Sequence, residues 1–285
     1  MKPGFYYGMP EAEYHDMKAD VPILSSSICK LLCNETPLHA WTAHNQLNPD
    51  FEREEKNHFD IGNVCHALLL EGITKAEIMD FDDRRTKEYK LKAEAARLAG
   101  KIPILRKDWK DISAMVGSAT KQIQKNRQAK DAFTNGKPEV TIVWEEEGGV
   151  LCKARIDWLH DDFKMIDDYK TAANANPDTL ARKLDDDGLD IQEAFYRRGI
   201  EVLMKVNPEF RFVFQEKAAP YAVCVVGLDN VWQTIGEKKR LFALETWRKC
   251  LATNDWPGYP TAICCPTMTT WMEDRWLRKE TGDAI

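Results

Sequence analysis

The chain has 285 residues, a hydrophobic fraction of 44%, a charged fraction of 30% and a net charge of −6. That composition describes an ordinary globular protein with one large domain or two small ones, and it excludes a protein whose whole surface is a nucleic-acid glove. It leaves room for an acidic metal site inside a locally basic groove. The longest local apolar run, around Cys65 to Leu70, is far too short to cross a membrane. The opening MKPGFYYGMPEAEYHD has no basic-then-apolar leader, so a cytoplasmic location with no membrane attachment is expected.

Taken in chain order, residues 1–22 read as an extended, proline-containing lead-in. Ser25-Ser26-Ser27 caps a helix through about Cys33, with Ile28, Leu31 and Leu32 as its apolar contacts. Pro37 starts a short helix through His44, and 45–57 is a polar loop. Ile61–Glu71 (IGNVCHALLLE) is nearly all apolar and therefore a buried helix. His66 stands inside it, either as a core histidine bonded to backbone or as a site residue. Gly62, a turn earlier, would permit a close approach.

From Arg84 to Lys110 positive charge accumulates, much of it on a helix ended by Gly100. This is either a solvated helix face or a phosphate-tracking surface. Asp108 to Ala132 follows as an amphipathic helix whose stripe of Ile112, Met115, Val116, Ala119 and Ile123 reads as core.

The pattern then changes to period two. Glu139–Trp144, Val150–Leu159 and Phe163–Thr171 read as strands, with turns at Glu145–Gly149 and at His160-Asp161-Asp162. A loop over Ala172–Pro177, a short helix through Leu184 and a helix over Ile191–Val206 come next. Two strands, Phe210–Gln215 and Tyr221–Val226, precede a long helix over Asn230–Thr253. Trp256-Pro257-Gly258-Tyr259 closes the domain. The chain thus reads as a single α/β domain: a mainly helical part over 1–135, a core over 136–260 and a loosely packed tail over 261–285.

Eight cysteines are present: Cys29, Cys33, Cys65, Cys152, Cys224, Cys250, Cys264 and Cys265. Most lie in apolar segments and read as reduced thiols. A zinc or iron–sulfur site would need Cys29-x3-Cys33 to meet Cys264-Cys265, and no Cys-x2-Cys pair exists.

Residues 154–171 (ARIDWLHDDFKMIDDYKT) place acids inside strands, where they are disfavoured. Asp168 and Lys170 are two apart and share a strand face, which Asp167 does not. A hairpin brings Asp157 to them. Two carboxylates and an ammonium at a sheet edge make a seat for a divalent cation with a lysine beside the attacking water. Structural salt bridging accounts for the same residues almost as well. Arg155 is expected on the opposite face from Asp157 and stays outside the site.

The ordered set of His66, Glu139, Asp157, Asp168-x-Lys170 and Gln192-x3-Tyr196 resembles the PD-(D/E)XK nuclease superfamily, with Ile156 in place of the signature proline and Asp168 in place of the commoner glutamate. The opening MKPGFYYGMPEAEYH, Gly62-x3-His66-x-Leu68-Leu69, Arg155-Ile156-Asp157, Asp168-x-Lys170-Thr171 and the Trp256-Pro257-Gly258-Tyr259 ending together resemble the exonuclease VIII (RecE-type) nuclease domain.

That resemblance implies a restriction-endonuclease-like core of αβββαβ type, with a mixed central sheet flanked by helices. It implies a Mg2+-dependent exonuclease on double-stranded DNA ends, degrading 5′→3′, with Mn2+ able to substitute. It also implies a ring-shaped homo-oligomer and a RecT-type single-strand annealing partner. Within it Asp157, Asp168, the Tyr169 carbonyl and His66 would hold metal, and Lys170 would serve the water or the developing charge. Gln192 and Tyr196 would face the active site, to contact DNA or orient Lys170. Glu139 is either a further acid of the site or an exposed strand-start residue. The alternatives are an endonuclease or Cas4-like nuclease of the same superfamily, and a non-catalytic DNA-end-binding protein.

Overall fold

The computed structural model describes residues 1–52 and 61–282. The lead-in is only partly extended. Gly4–Tyr6 forms β1, and Glu11–Asp16 forms α1, with Glu11 and Glu13 in the first turn where the helix dipole favours acids. Leu24–Ser25 is a two-residue strand, β2. Ser25 then caps α2 (Ser26–Asn34), its hydroxyl accepting from the Ile28 N–H. α3 (Pro37–Thr42) begins on proline. The loop expected over 45–57 lies outside the described residues from 53 onward. α4 (Ile61–Glu71) is the apolar helix, with Val64, Cys65, Leu68 and Leu70 buried.

The N-terminal part is not purely helical. β3 (Ala76–Met79) and β4 (Ile102–Leu105) pair in parallel on either side of α5 (Lys87–Leu98). Four residues each are too few for an alternating pattern to stand out. α6 (Arg106–Lys125) buries all five residues of the expected stripe. It stops short of Ala132 because the Asn126 side chain captures the N–H groups of Gln128 and Ala129, a local competitor of the helix. The basic run is answered locally in part: Arg84 pairs with Asp108, Arg85 with Asp83 and Arg106 with Asp80.

β5 (Gly136–Glu146), β6 (Val150–His160) and β7 (Met165–Ala172) form an antiparallel meander. α7 (Pro177–Asp186) and α8 (Leu189–Met204) then cross over to β8 (Glu209–Glu216), which runs parallel to β7. β9 (Val223–Val226) closes the sheet, giving the order β1-β5-β6-β7-β8-β9, with β2 parallel to β6. The sheet is mixed, as expected. α9 (Asn230–Thr253) has the bounds the sequence implies, and α10 (Thr270–Glu280) is exposed along its whole length.

Helices cover both faces of this sheet. α2, α8 and α9 enclose one core around Trp144, Phe195, Phe212, Phe214 and Trp247. α8 can lie this close only because residue 199 is glycine: a Cβ there would stand 2.6 Å from Ile142 Cδ1. On the opposite face α6 packs Ala119 and Ile123 against Tyr169 and Val213. None of the described helices is long and apolar enough to cross a membrane.

β6 has a divided edge. One side pairs with β5 along most of its length. The other pairs with β2 at Cys152 and Lys153, and with β7 only at Trp158 and Leu159. The stretch between those two pairings is where the side chains of the site emerge.

Asp167 is fully buried and holds β7 to its surroundings. It pairs with Arg211 directly across on β8 (2.6 Å), takes a bond from His160 Nε2 (2.7 Å) and accepts from the Phe133 N–H (3.1 Å). Asp167→Ala leaves Arg211 with only the exposed Asp131 as an acidic partner, at 3.0 Å, and is expected to cost about 3 kcal/mol in urea unfolding. The urea midpoint is the measurement, and a shift within error would remove the structural role.

Candidate active site

Three elements bring the first group together. Stepping one residue on from the Trp158–Asp167 pair sets Asp157 opposite Asp168. Asp157 Oδ2 accepts from the Tyr169 N–H at 2.9 Å, so its side chain does the work of a ladder partner. On β5 the ladder runs Pro138–Trp158, then Val140–Ile156, and passes over Glu139, whose φ is +53°. Glu139 therefore stands across from Asp157, and the left-handed backbone at a non-glycine residue is strain placed at the site. From α4, His66 Nε2 lies 3.0 Å from Asp157 Oδ2 and Nδ1 lies 3.5 Å from Glu139 Oε1.

Arg155 belongs here, which corrects the expectation that it faces away. Residues 155 and 157 are two apart on one strand and share a face. The Arg155 guanidinium donates to Glu139 Oε2 and to the Met9 carbonyl (2.7 Å), fixing Glu139 from behind. Glu139 is accordingly a member of the site rather than an exposed strand-start residue.

The second group lies alongside. Lys170 is ion-paired with Asp168 Oδ1, and Gln192 Nε2 of α8 donates to Asp168 Oδ2. Tyr196, one turn further along α8, is buried and shares the cleft wall with Ser26 of α2. The Tyr169 ring points to the other face, its hydroxyl bonded to Gln215. Both groups border an open cleft of about 920 Å³ lined by His66, Glu139, Arg155, Gln192, Tyr196, Ser26, Ser27 and Lys30.

The charges are strongly coupled. Burial opposes a charge on His66, but the Asp157 and Glu139 carboxylates prevail and lift its pKa to about 9. Burial works against ionised Asp157 too, yet His66 and Lys170 hold its carboxyl below the usual range. Glu139 is pushed up by burial and by the Asp157 charge. Asp168 is raised to about 6, first by burial and then by Asp157. Lys170 resists burial because Asp168 and Asp157 keep it protonated.

The donor atoms of His66, Glu139 and Asp157 lie within 4.8 Å of one another, the arrangement a small divalent cation needs. The carboxylates hold a proton on the imidazole between them, which marks the spot as one that attracts positive charge. These residues fit a metal. Asp168, expected as a ligand beside Asp157, lies outside that group: its Oδ2 accepts from Gln192, and its Oδ1 is ion-paired with Lys170 but accepts no hydrogen bond. Among the described residues the cysteines form no such group and no disulfide. Lys30 and Ser26 were not singled out as site residues; the signal available was that Ser26, Ser27 and Lys30 share one face of a short capped helix.

Residues 25–267 match the PDDEXK-like domain family of unknown function DUF3799. No curated protein matches the chain. Among solved structures, the chain is similar to a candidate exonuclease from Eubacterium rectale, at 12% identity and a TM-score of 0.60, over 94% of this chain and 98% of that one. A phage-related exonuclease from Haemophilus somnus overlaps more loosely, at 13% identity and a TM-score of 0.31, over 69% of this chain and 100% of that one. The first likeness is one of fold. The family match spans most of the chain and agrees with the resemblance carried by the motifs: this protein belongs to the PDDEXK-like DUF3799 family, within the PD-(D/E)XK nuclease superfamily.

Proposed function

We propose that this protein is a Mg2+-dependent exodeoxyribonuclease that degrades linear double-stranded DNA 5′→3′ and leaves 3′ single-stranded tails for recombination by strand annealing. In this reading it works in the cytoplasm of a bacterial or phage-infected cell, as a ring-shaped homo-oligomer beside a RecT-type annealing protein, and Mn2+ can replace Mg2+. The observation that carries hydrolysis is the His66–Glu139–Asp157 group set across the strands from the Asp168–Lys170 pair, beside a cleft that His66, Glu139 and Gln192 line. The exonuclease mode is supported by the RecE-type motifs and by the description of the Eubacterium rectale structure.

When bound, a divalent ion supplies positive charge to the phosphate and acidifies a water. His66, Glu139 and Asp157 would hold it, with Arg155 fixing Glu139 and the Tyr169 carbonyl as a further candidate ligand. Lys170 is protonated, so it serves as a donor: it orients the attacking water or stabilises charge developing on the phosphate oxygens. Asp168 aims the ammonium, and Gln192 aims Asp168. The phenol of Tyr196 is pushed far above its ordinary pKa by burial, so it acts as a neutral hydroxyl on the cleft wall.

Linear duplex labelled at the 5′ end should release label early, 3′-labelled duplex should release it late, and closed circular DNA should survive. Cutting of the circle would replace the exonuclease with an endonuclease. Lys170→Met and Asp157→Ala are each expected to lower kcat by at least about 10²-fold, and full activity in both would sink the site assignment.

Metal binding can be followed without DNA. A cation must displace the proton that Asp157 and Glu139 hold on His66, whose pKa is about 9. Affinity for Mn2+ in calorimetry should therefore rise with pH, by up to about tenfold per unit between roughly pH 6.5 and 8.5. His66→Gln should lose most of that slope, and an unchanged slope would place the ion elsewhere.

A further inference from the structure

The catalytic reading gives Lys30 no task. It lies on α2, half-buried, and lines the same cleft. Other cations of that cleft are answered by acids: His66 and Arg155 by Asp157 and Glu139, Lys137 by Asp161 at 3.9 Å and His15 by Glu11 at 3.6 Å. Lys30 makes no ion pair or hydrogen bond among the described residues.

Its side chain is nevertheless held. Gly188, at φ +57°, caps the start of α8 in the left-handed region. A Cβ on Gly188 would stand 3.0, 3.3 and 3.5 Å from Cγ, Cδ and Cε of Lys30. Three successive methylenes thus lie along one stretch of bare backbone, and the ammonium is carried to a fixed place. That place is electrostatically poor for a cation. Burial and then the Lys170 ammonium pull the Lys30 pKa down to about 8, against the opposing pull of Asp168, Asp187 and Asp190, none of which it pairs with. Two lysines near one another, one of them without a counter-ion, invite an anion.

The geometry gives the side. Gly188, over which the Lys30 stem lies, is one turn before Gln192 on α8, and Gln192 donates to Asp168, the partner of Lys170. Lys30 therefore stands beside the Asp168–Lys170 half of the site. The Ser26 and Ser27 positions share its helix face, and the first turn of α2 adds its own partial positive charge there.

We propose that Lys30 holds a second backbone phosphate of the bound strand, the one next to the phosphate being cleaved, on the Lys170 side of the site. The proposal rests on the nuclease reading above. Lys30 is a substrate-positioning residue that sets affinity, while Lys170 serves the reacting atoms.

The test uses the full chain and a fluorescein-labelled linear duplex. Lys30→Met keeps the stem over Gly188 and removes the charge, and Lys30→Arg keeps the charge. Binding is read by anisotropy in EDTA across a KCl series, and cleavage is read with Mg2+. Lys30→Met is expected to weaken binding about tenfold and to lower the salt slope of log K by about 0.9. KM should rise by a similar factor, with a smaller change in kcat, and Lys30→Arg should restore affinity and slope. A melting temperature equal to wild type checks the fold. Affinity and slope unchanged in Lys30→Met would make Lys30 a solvated surface lysine. A loss confined to kcat, with binding intact, would put it on the reacting phosphate; either result overturns the proposal while leaving wild-type nuclease activity in evidence. A wild-type chain that neither binds nor cuts DNA would remove the nuclease reading itself.

Discussion

The divided edge of β6 is the constraint on which the site depends. A strand buried in a sheet must find partners for its backbone groups on both sides. β6 finds them continuously on β5, but on its other side β2 serves one end and β7 serves the other. The gap between them has two consequences. Asp157 reaches across to the Tyr169 N–H, so a carboxylate of the candidate site also ties β6 to β7. And β2 leads directly into α2 through the Ser25 cap, so the same pairing that fills one end of the edge delivers Ser26, Ser27 and Lys30 to the cleft.

Strand alternation then separates two adjacent acids into different jobs. Asp167 faces α6 and is locked by Arg211 and His160, while Asp168 faces α8 and meets Lys170 and Gln192. Both are buried, and each is balanced by a cation two strands' width or less away, as an ionised carboxyl out of water requires. Tyr169, the next residue, takes the Asp167 side with its ring and serves Asp157 with its N–H.

Much of this was legible. Period two in 154–171 named Asp157, Asp168 and Lys170, and the apolar run of α4 named His66 as a polar residue in a place that resists one. The serine cap at residues 25–27 marks a helix start that the structure keeps, with Ser25 as the capping residue. What escaped the sequence has physical reasons. β2, with two residues, has no period at all, yet it creates the divided edge. β3 and β4 are stabilised by each other and by α5 rather than by any local pattern. Arg155 was recoverable from parity alone. Glu139 depends on a positive φ that nothing local announces, and its contact with His66 joins residues far apart in the chain. Lys30 depends on Gly188, whose missing side chain matters only once α2 and α8 are side by side.

The sequence suggests one centre in which Asp157 and Asp168 share a cation; the geometry supports two centres that share Asp157's field. His66 and Glu139 complete the first, Lys170 and Gln192 the second. The coupling between them is visible in Asp168, whose carboxyl is raised to about 6 by burial and then by the Asp157 charge. Positive charge placed among His66, Glu139 and Asp157 would weaken that repulsion and favour ionised Asp168, which in turn holds Lys170 as a charged donor. Asp168 thus links the two halves: its carboxyl responds to the charge on Asp157 while it pairs with Lys170.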